Sequence, residues 1–368
     1  MHGDRGRRKR RHGPARGCDD GVNFALRKLC CFPAFEGGKV RNLITDVEGV
    51  RVGHADDRKL GSGATAIVFD APAVTAVDLR GGGPGTREVD LLVPAMTVEH
   101  VDAIALSGGS AFGLDTASGV QAWLAEHGRG FPVRTARVPI VPGAILFDLL
   151  SGGDKKWGRY PPYRDLGYAA AAGASADFAL GSAGAGLGAT TVNLKGGIGS
   201  ASAATPDGIV VGALAAVNAA GSVTIGSGPH FWAGAFEVGK EFGGLGWPSP
   251  LPPDALAIRT KGHAQQSTTL AVIATDAQLS KAQTNRLAIM AQTGLVRATY
   301  PVHTPLDGDV VFAAATGKKK LADPRLTLSA LGTLAANVLA RAVARGVYAA
   351  EALPYPGALP DWKSKFGV

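Results

Sequence analysis

Runs of small and β-branched residues, broken by glycine and proline, set the predicted elements of this chain. Residues 42–52 read as a short strand and turn, 63–69 and 73–79 as two strands, and 103–106 as a further strand leading into Ser107-Gly108-Gly109-Ser110. The spacing over 111–127 predicts a helix whose apolar face includes Phe112, Ala117, Val120 and Leu124. Residues 131–147 give two short strands, and 166–179 an Ala-rich helix. Two apolar runs, 198–205 and 209–218, flank Pro206-Asp207-Gly208 and predict a hairpin, with Lys195 at its head and Asn218 at its end. Residues 226–266 show no periodicity. A buried strand is predicted to open on Ser267-Thr268-Thr269. It is followed by a helix over 279–298 with Ser280 as N-cap, a strand over 310–314 and a long helix over 326–352. Paired strands with helices on their outer faces predict an α/β fold, a four-layer αββα sandwich.

Composition changes that picture at one end only. The net charge is +8, but residues 1–41 hold eleven Lys or Arg against four Asp or Glu, so the body is close to neutral. The leader 1–41 is expected to be a basic, disordered extension outside the fold, and 42–368 a single domain. All three cysteines, Cys18, Cys30 and Cys31, lie in that leader, which argues against a disulfide framework or a Cys/His metal site. The body has no basic stripe for nucleic acid, and no apolar stretch of about 20 uninterrupted residues suited to a membrane. A cytoplasmic location is the default expectation. The 52 glycines, about twice the usual share of roughly 7%, allow tight turns and close backbone approach.

Candidate chemistry is sparse. The loop Arg80-Gly81-Gly82-Gly83-Pro84-Gly85-Thr86 could turn its amides toward an anion, but it lacks the Gly-Lys-Ser/Thr ending of a phosphate loop. Gly184, Gly186 and Ala189 fit a dinucleotide spacing, yet strand and turn residues follow where a helix is required. No cofactor is expected. Asp307 and Asp309, at the mouth of the strand 310–314, read as turn formers or partners of a cation rather than metal ligands. Ser267, Thr268 and Thr269 are either hydroxyls capping a strand end or a nucleophile held on a rigid element.

Several motifs in one order then identify a relationship. They are Gly49-Val50-Arg51-Val52-Gly53-His54, Leu106-Ser107-Gly108-Gly109-Ser110-Ala111-Phe112-Gly113-Leu114, Lys195-Gly196-Gly197-Ile198-Gly199-Ser200-Ala201-Ser202, Ala274-Thr275-Asp276-Ala277, and Pro301-Val302-His303-Thr304-Pro305 with Asp307-Gly308-Asp309. From about residue 42 to 355 the chain resembles the autoprocessing aminopeptidases. That family includes the L-aminopeptidase/D-esterases, the β-peptidyl aminopeptidases and a branch of nylon-oligomer hydrolases.

The resemblance implies an N-terminal-nucleophile-like fold, of the type shared with ornithine acetyltransferases, made as a precursor that cuts itself. It places the nucleophile at Thr268, six residues before Ala274, and the cut between Ser267 and Thr268. Fragments 1–267 and 268–368 would then stay together. Ser267 stands where the nylon-hydrolase branch commonly has Asn, and Ala271 replaces a common Gly; a cut at Gln266/Ser267 is the alternative. By the same resemblance Asn218 donates to the oxyanion, Lys195 polarises the nucleophile's surroundings, and Asp307 and Asp309 orient the Lys or the nucleophile. The implied substrates are short peptides, amino-acid amides or 6-aminohexanoate oligomers, and the implied assembly a homo-oligomer, a tetramer or larger. Two other readings stay open: an acyltransferase of the ornithine acetyltransferase type, and an uncut inactive relative.

Overall fold

A computed structural model of the chain describes residues 41–261 and 267–367. The basic leader up to residue 40, with its three cysteines, and the Gln266 side of the alternative cleavage bond lie outside the described residues. In chain order the elements are β1 Val50–Asp57, β2 Ser62–Leu79, β3 Gly85–Arg87, β4 His100–Ser107, α1 Thr116–Glu126, β5 Phe131–Val133, β6 Ala136–Val138 and β7 Gly143–Ile145. There follow α2 Tyr163–Ala172, β8 Gly197–Ala204, β9 Val210–Asn218, β10 Thr268–Ala277, α3 Lys281–Ala298, β11 Val310–Lys319, α4 Pro324–Tyr348 and α5 Trp362–Phe366.

The strands β3-β7-β4-β2-β11-β10-β9-β8 form one continuous hydrogen-bonded ladder, and β1 pairs the first half of β2. That ladder folds into two layers because β2 serves both. Its residues 62–69 pair β1 and β4, while 74–79 pair β11. Between them the register to β4 shifts from Val68 to Ala73. Asp70-Ala71-Pro72, between the two predicted strands 63–69 and 73–79, is exposed but stays extended through this irregularity, so those strands are one.

Three separate apolar cores lie in the spaces between four layers. Strand alternation sends successive residues to opposite faces. On β10, Leu270, Val272 and Ala274 enter the core between the sheets, while Ala271, Ile273 and Ala277 face α3 and α4. On β2, Ile67 and Phe69 enter the same central core, while Ala64, Ala66 and Val68 face α1 and α2. The sandwich is therefore αββα, as expected.

The helices differ in detail from the sequence pattern. Gly109 and Ser110 take left-handed conformations, so 110–115 forms a 3-10 turn, and the α-helix starts only at Thr116. Phe112 accordingly is half exposed, edge-on to Trp157, and belongs to no apolar helix face. Helix α2 starts behind Pro162 and stops at Gly173, earlier at both ends than predicted. Three short strands, not two, occupy 131–147. Helix α4 begins at Pro324, with Asp323 accepting the amides of Arg325 and Leu326. It is long and apolar enough to cross a membrane, but most of that stretch is buried within the fold. Ser280 caps α3, as predicted, in a reciprocal box with Gln283.

Helix α4 lies so close to β8 that a Cβ at Gly199 would stand 1.8 Å from the Ala342 carbonyl oxygen. Gly199→Ala is expected to cost about 3 kcal/mol, because backbone on both sides must move. Urea unfolding of the purified variant measures this; an unchanged midpoint would mean that the helix can shift freely.

Candidate active site

Strand ends brought together by pairing build the site. Thr268 is the first residue of β10 and lies opposite Asn218, the last residue of β9. Lys195 precedes β8, whose Gly197 pairs Val217, so Lys195 and Asn218 share the open end of one hairpin. On the other side of β10, Ser267 bridges Asp307, just ahead of β11. Thr268, Asn218, Lys195, Asp307 and Asp309 are all at most 4% exposed.

The Ser267–Thr268 peptide is held on both sides. Thr268 Oγ1 donates to the Ser267 carbonyl oxygen at 2.5 Å, and the Gly308 N–H donates to the same oxygen at 2.7 Å. The Ser267 N–H donates to the Leu306 carbonyl at 3.0 Å. Next along the strand, the Thr269 N–H donates to Asp309 Oδ1 at 2.8 Å. The second oxygen of Asp309 takes His303 Nδ1 at 2.8 Å and the His303 N–H at 3.2 Å. Asp307 accepts from the Ala220 N–H through Oδ1, and from the N–H and hydroxyl of Thr304 through Oδ2. Burial, with the charge of Asp309 adding to it, holds the Asp307 carboxyl above the ordinary carboxylate range. The two carboxylates thus brace backbone beside Thr268 and Asn218, and neither forms an ion pair with Lys195.

The glycine loop after β2 serves this turn. Arg80, Gly82 and Gly83 donate their N–H groups to the carbonyls of Asp309, Thr304 and Asp307, the last at 2.8 Å. Those three amides are committed to protein, so the stretch is a tight loop beside the site and not an anion cradle, in line with its missing phosphate-loop ending.

Lys195 donates to three carbonyls, those of Gly186, Ala189 and Gly196, at 2.7–3.0 Å. Gly186 and Ala189 come from the segment with dinucleotide spacing, which forms a 3-10 turn and holds this ammonium. Burial, opposed by Asp148, brings Lys195 down to about 7. Asn218 has its side-chain orientation fixed by its partners. Its Oδ1 accepts from the Thr190 N–H and from Lys261 Nζ, each at 3.0 Å, and its Nδ2 donates to the Phe147 carbonyl at 3.1 Å. The reversed amide would set donor against donor.

Lys261 is a residue that sequence reasoning missed. It lies in the aperiodic stretch, seven residues before Thr268, with no motif around it. Burial brings it to about 7, against the pull of Asp307 and with a further push from Lys195. Asp148 was also missed. It is fully buried, accepts from Ser62 Oγ and the Gly109 N–H at 2.7 Å each, and is raised by burial despite Lys155 and Lys195. The sequence signal was an acid closing the apolar run Ile145-Leu146-Phe147. Among the described residues no group of three or more His, Cys, Asp or Glu is placed to hold a metal.

Comparisons with known proteins agree with this architecture. The sequence model of peptidase family S58 matches residues 42–357. An uncharacterized aminopeptidase of Mycobacterium tuberculosis is 45% identical over 347 residues, spanning 88% of this chain and 98% of the relative. The 6-aminohexanoate-oligomer endohydrolase of Paenarthrobacter ureafaciens is 29% identical over 319 residues, spanning 84% of this chain and 82% of the relative. Among solved structures, the L-aminopeptidase D-Ala-esterase/amidase of Ochrobactrum anthropi superposes with a TM-score of 0.65 at 19% identity, covering 91% of this chain and 94% of that one. That structure is described as a variant of the Ntn hydrolase fold. With the family model spanning nearly the whole described body and a relative at 45% identity, the chain belongs to peptidase family S58 and is a hydrolase of peptide or amide bonds.

Proposed function

We propose that the chain is an autoprocessing N-terminal-nucleophile hydrolase in which Thr268 first cuts the Ser267–Thr268 bond and then attacks substrate amides. The observation that carries this reading is the seating of that peptide. Thr268 Oγ1 lies against the Ser267 carbonyl, whose oxygen is already held by the Gly308 N–H. Attack of Oγ1 on the Ser267 carbonyl carbon forms an ester as the C–N bond breaks, and the hydroxyl proton ends on the Thr268 nitrogen. Water then cleaves the ester, leaving a Ser267 carboxylate and a Thr268 with both a hydroxyl and a free α-amine. The Gly308 donor stabilises the charge that develops on the carbonyl oxygen during attack.

In the cut enzyme the α-amine takes the proton from Oγ1 as the hydroxyl attacks a substrate carbonyl. Asn218 Nδ2, oriented by its three partners, brings a proton toward the oxyanion. The substrate amine leaves with the proton, and water releases the acyl group from Thr268. Lys195, beside Asn218 at the hairpin end, adds positive potential, and Asp307 and Asp309 keep the strand ends in place. The substrates proposed are short peptides, amino-acid amides and 6-aminohexanoate oligomers.

Denaturing intact mass with sequencing of the new N-terminus tests the first step. Two fragments, the smaller beginning at Thr268, are expected; one chain that stays whole on prolonged incubation would overturn the proposal. The second step has a pH signature. A neutral amine is the base, so kcat/KM should rise with pH through the amine's titration. An ordinary α-amine titrates at about 7.7–8.0, and the rise is expected there. A profile flat from pH 5 to about 9 would exclude the amine as base.

A further inference from the structure

One cavity among the described residues adjoins the site without being used by the chemistry above. Its volume is about 280 Å³, and Lys195 and Lys261 both line it. Ser151, Thr260, Leu150 and Leu359 are also among the residues that line it. No Asp or Glu belongs to that lining. The charge of Asp148 acts on Lys195 and that of Asp307 on Lys261, though neither residue is part of the lining.

The two ammonium groups are not equivalent. Lys195 spends its three protons on three carbonyls. Lys261, among the described residues, donates only to Asn218, at 3.0 Å to Oδ1 and 3.4 Å to the carbonyl. An ammonium has three protons, so among the described residues one proton of Lys261 is left for a group in the cavity. The charge of Lys195 pushes on that of Lys261, and an anion held by Lys261 relieves this repulsion. The contact to Asn218 places this anion site one strand pairing away from Thr268. The leucines give an attached hydrocarbon chain apolar wall to lie on.

We infer that this cavity is a subsite for a carboxylate on a short apolar chain, with Lys261 as its contacting donor. Resting on the hydrolase reading above, it makes the preferred substrate an amide whose acyl or amine portion carries a free carboxylate. The same chemistry is offered by the Ser267 carboxylate that self-cleavage would create, so the test must separate the two sources.

Calorimetric titration with hexanoate and with the isosteric, uncharged hexanamide provides that test, and it needs no turnover. It therefore stands or falls separately from the amide chemistry. Processed wild type is expected to bind hexanoate at least about tenfold more tightly than hexanamide, which is about 1.4 kcal/mol. Lys261→Met should remove that difference. Thr260→Glu, at an exposed position on the rim, should weaken hexanoate by a similar factor and leaves the buried structure untouched. Equal affinity for the acid and the amide, or hexanoate binding unmoved by both variants, overturns the inference. Binding to uncut Thr268→Ala but not to processed wild type would assign the cavity to the Ser267 carboxylate and overturn the substrate role.

Discussion

Thr268→Ala is expected to remain one uncut chain and to lose amide hydrolysis by about 10⁴-fold or more, the scale seen when a catalytic nucleophile is removed. Both losses have one cause. The variant lacks the oxygen that attacks the Ser267 carbonyl, and without that cut no α-amine forms at residue 268. The fold should survive, because Thr268 lies at the end of β10 and its side chain donates to its own preceding carbonyl rather than to a distant element. Circular dichroism and thermal melting should therefore match those of the precursor, while intact mass shows a single species. Processing of this variant at the wild-type rate would remove Thr268 from the proposal. A cut that moved to the Gln266/Ser267 bond would shift the nucleophile by one residue.

Gly308→Ala should give the second largest effect. A Cβ at Gly308 would stand 2.6 Å from Thr268 Oγ1 and 2.7 Å from the Gly83 carbonyl oxygen. Neither neighbour is the far end of a flexible side chain, so Thr268 or the turn must move. Its N–H also holds the Ser267 carbonyl, and any shift of the turn displaces this donor along with the nucleophile. Misplacement by about 1 Å costs on the order of 10²-fold in rate, and self-cleavage should slow by at least that factor. The measurement is the time course of fragment appearance after expression at low temperature. Cleavage as fast as wild type would show that the Gly308 amide and the close approach at Thr268 are both dispensable.

The strands were legible because their chemistry is local. Alternating small and β-branched residues over 268–277 and 210–218 encode strands buried on both faces, and Ser280 with Gln283 encodes the start of α3. The helix over 111–127 was misread at its first turn because left-handed Gly109 and Ser110 tighten the backbone into a 3-10 turn, which the apolar spacing does not reveal. The long β2 was divided because Asp70-Ala71-Pro72 has turn composition, and only pairing on both sides keeps it extended.

The candidate site divides along the same line. Thr268, Lys195, Asn218, Asp307 and Asp309 were named from motif order, since each lies in or beside a recognisable run of residues. Lys261 and Asp148 carry no such mark. They matter through what is near them: Asn218 and Asp307 for Lys261, Lys195 and Ser62 for Asp148. The sequence by itself therefore determined the layer pattern, the family and the residues available for chemistry, because periodicity and motif spacing are properties of contiguous chain. The tertiary structure decided which strand ends meet and which carbonyls hold Lys195. It also decided which amides the carboxylates brace and how two lysines 66 residues apart come to line one cavity. Those follow from strand register and burial, which depend on contacts between segments that no local pattern records.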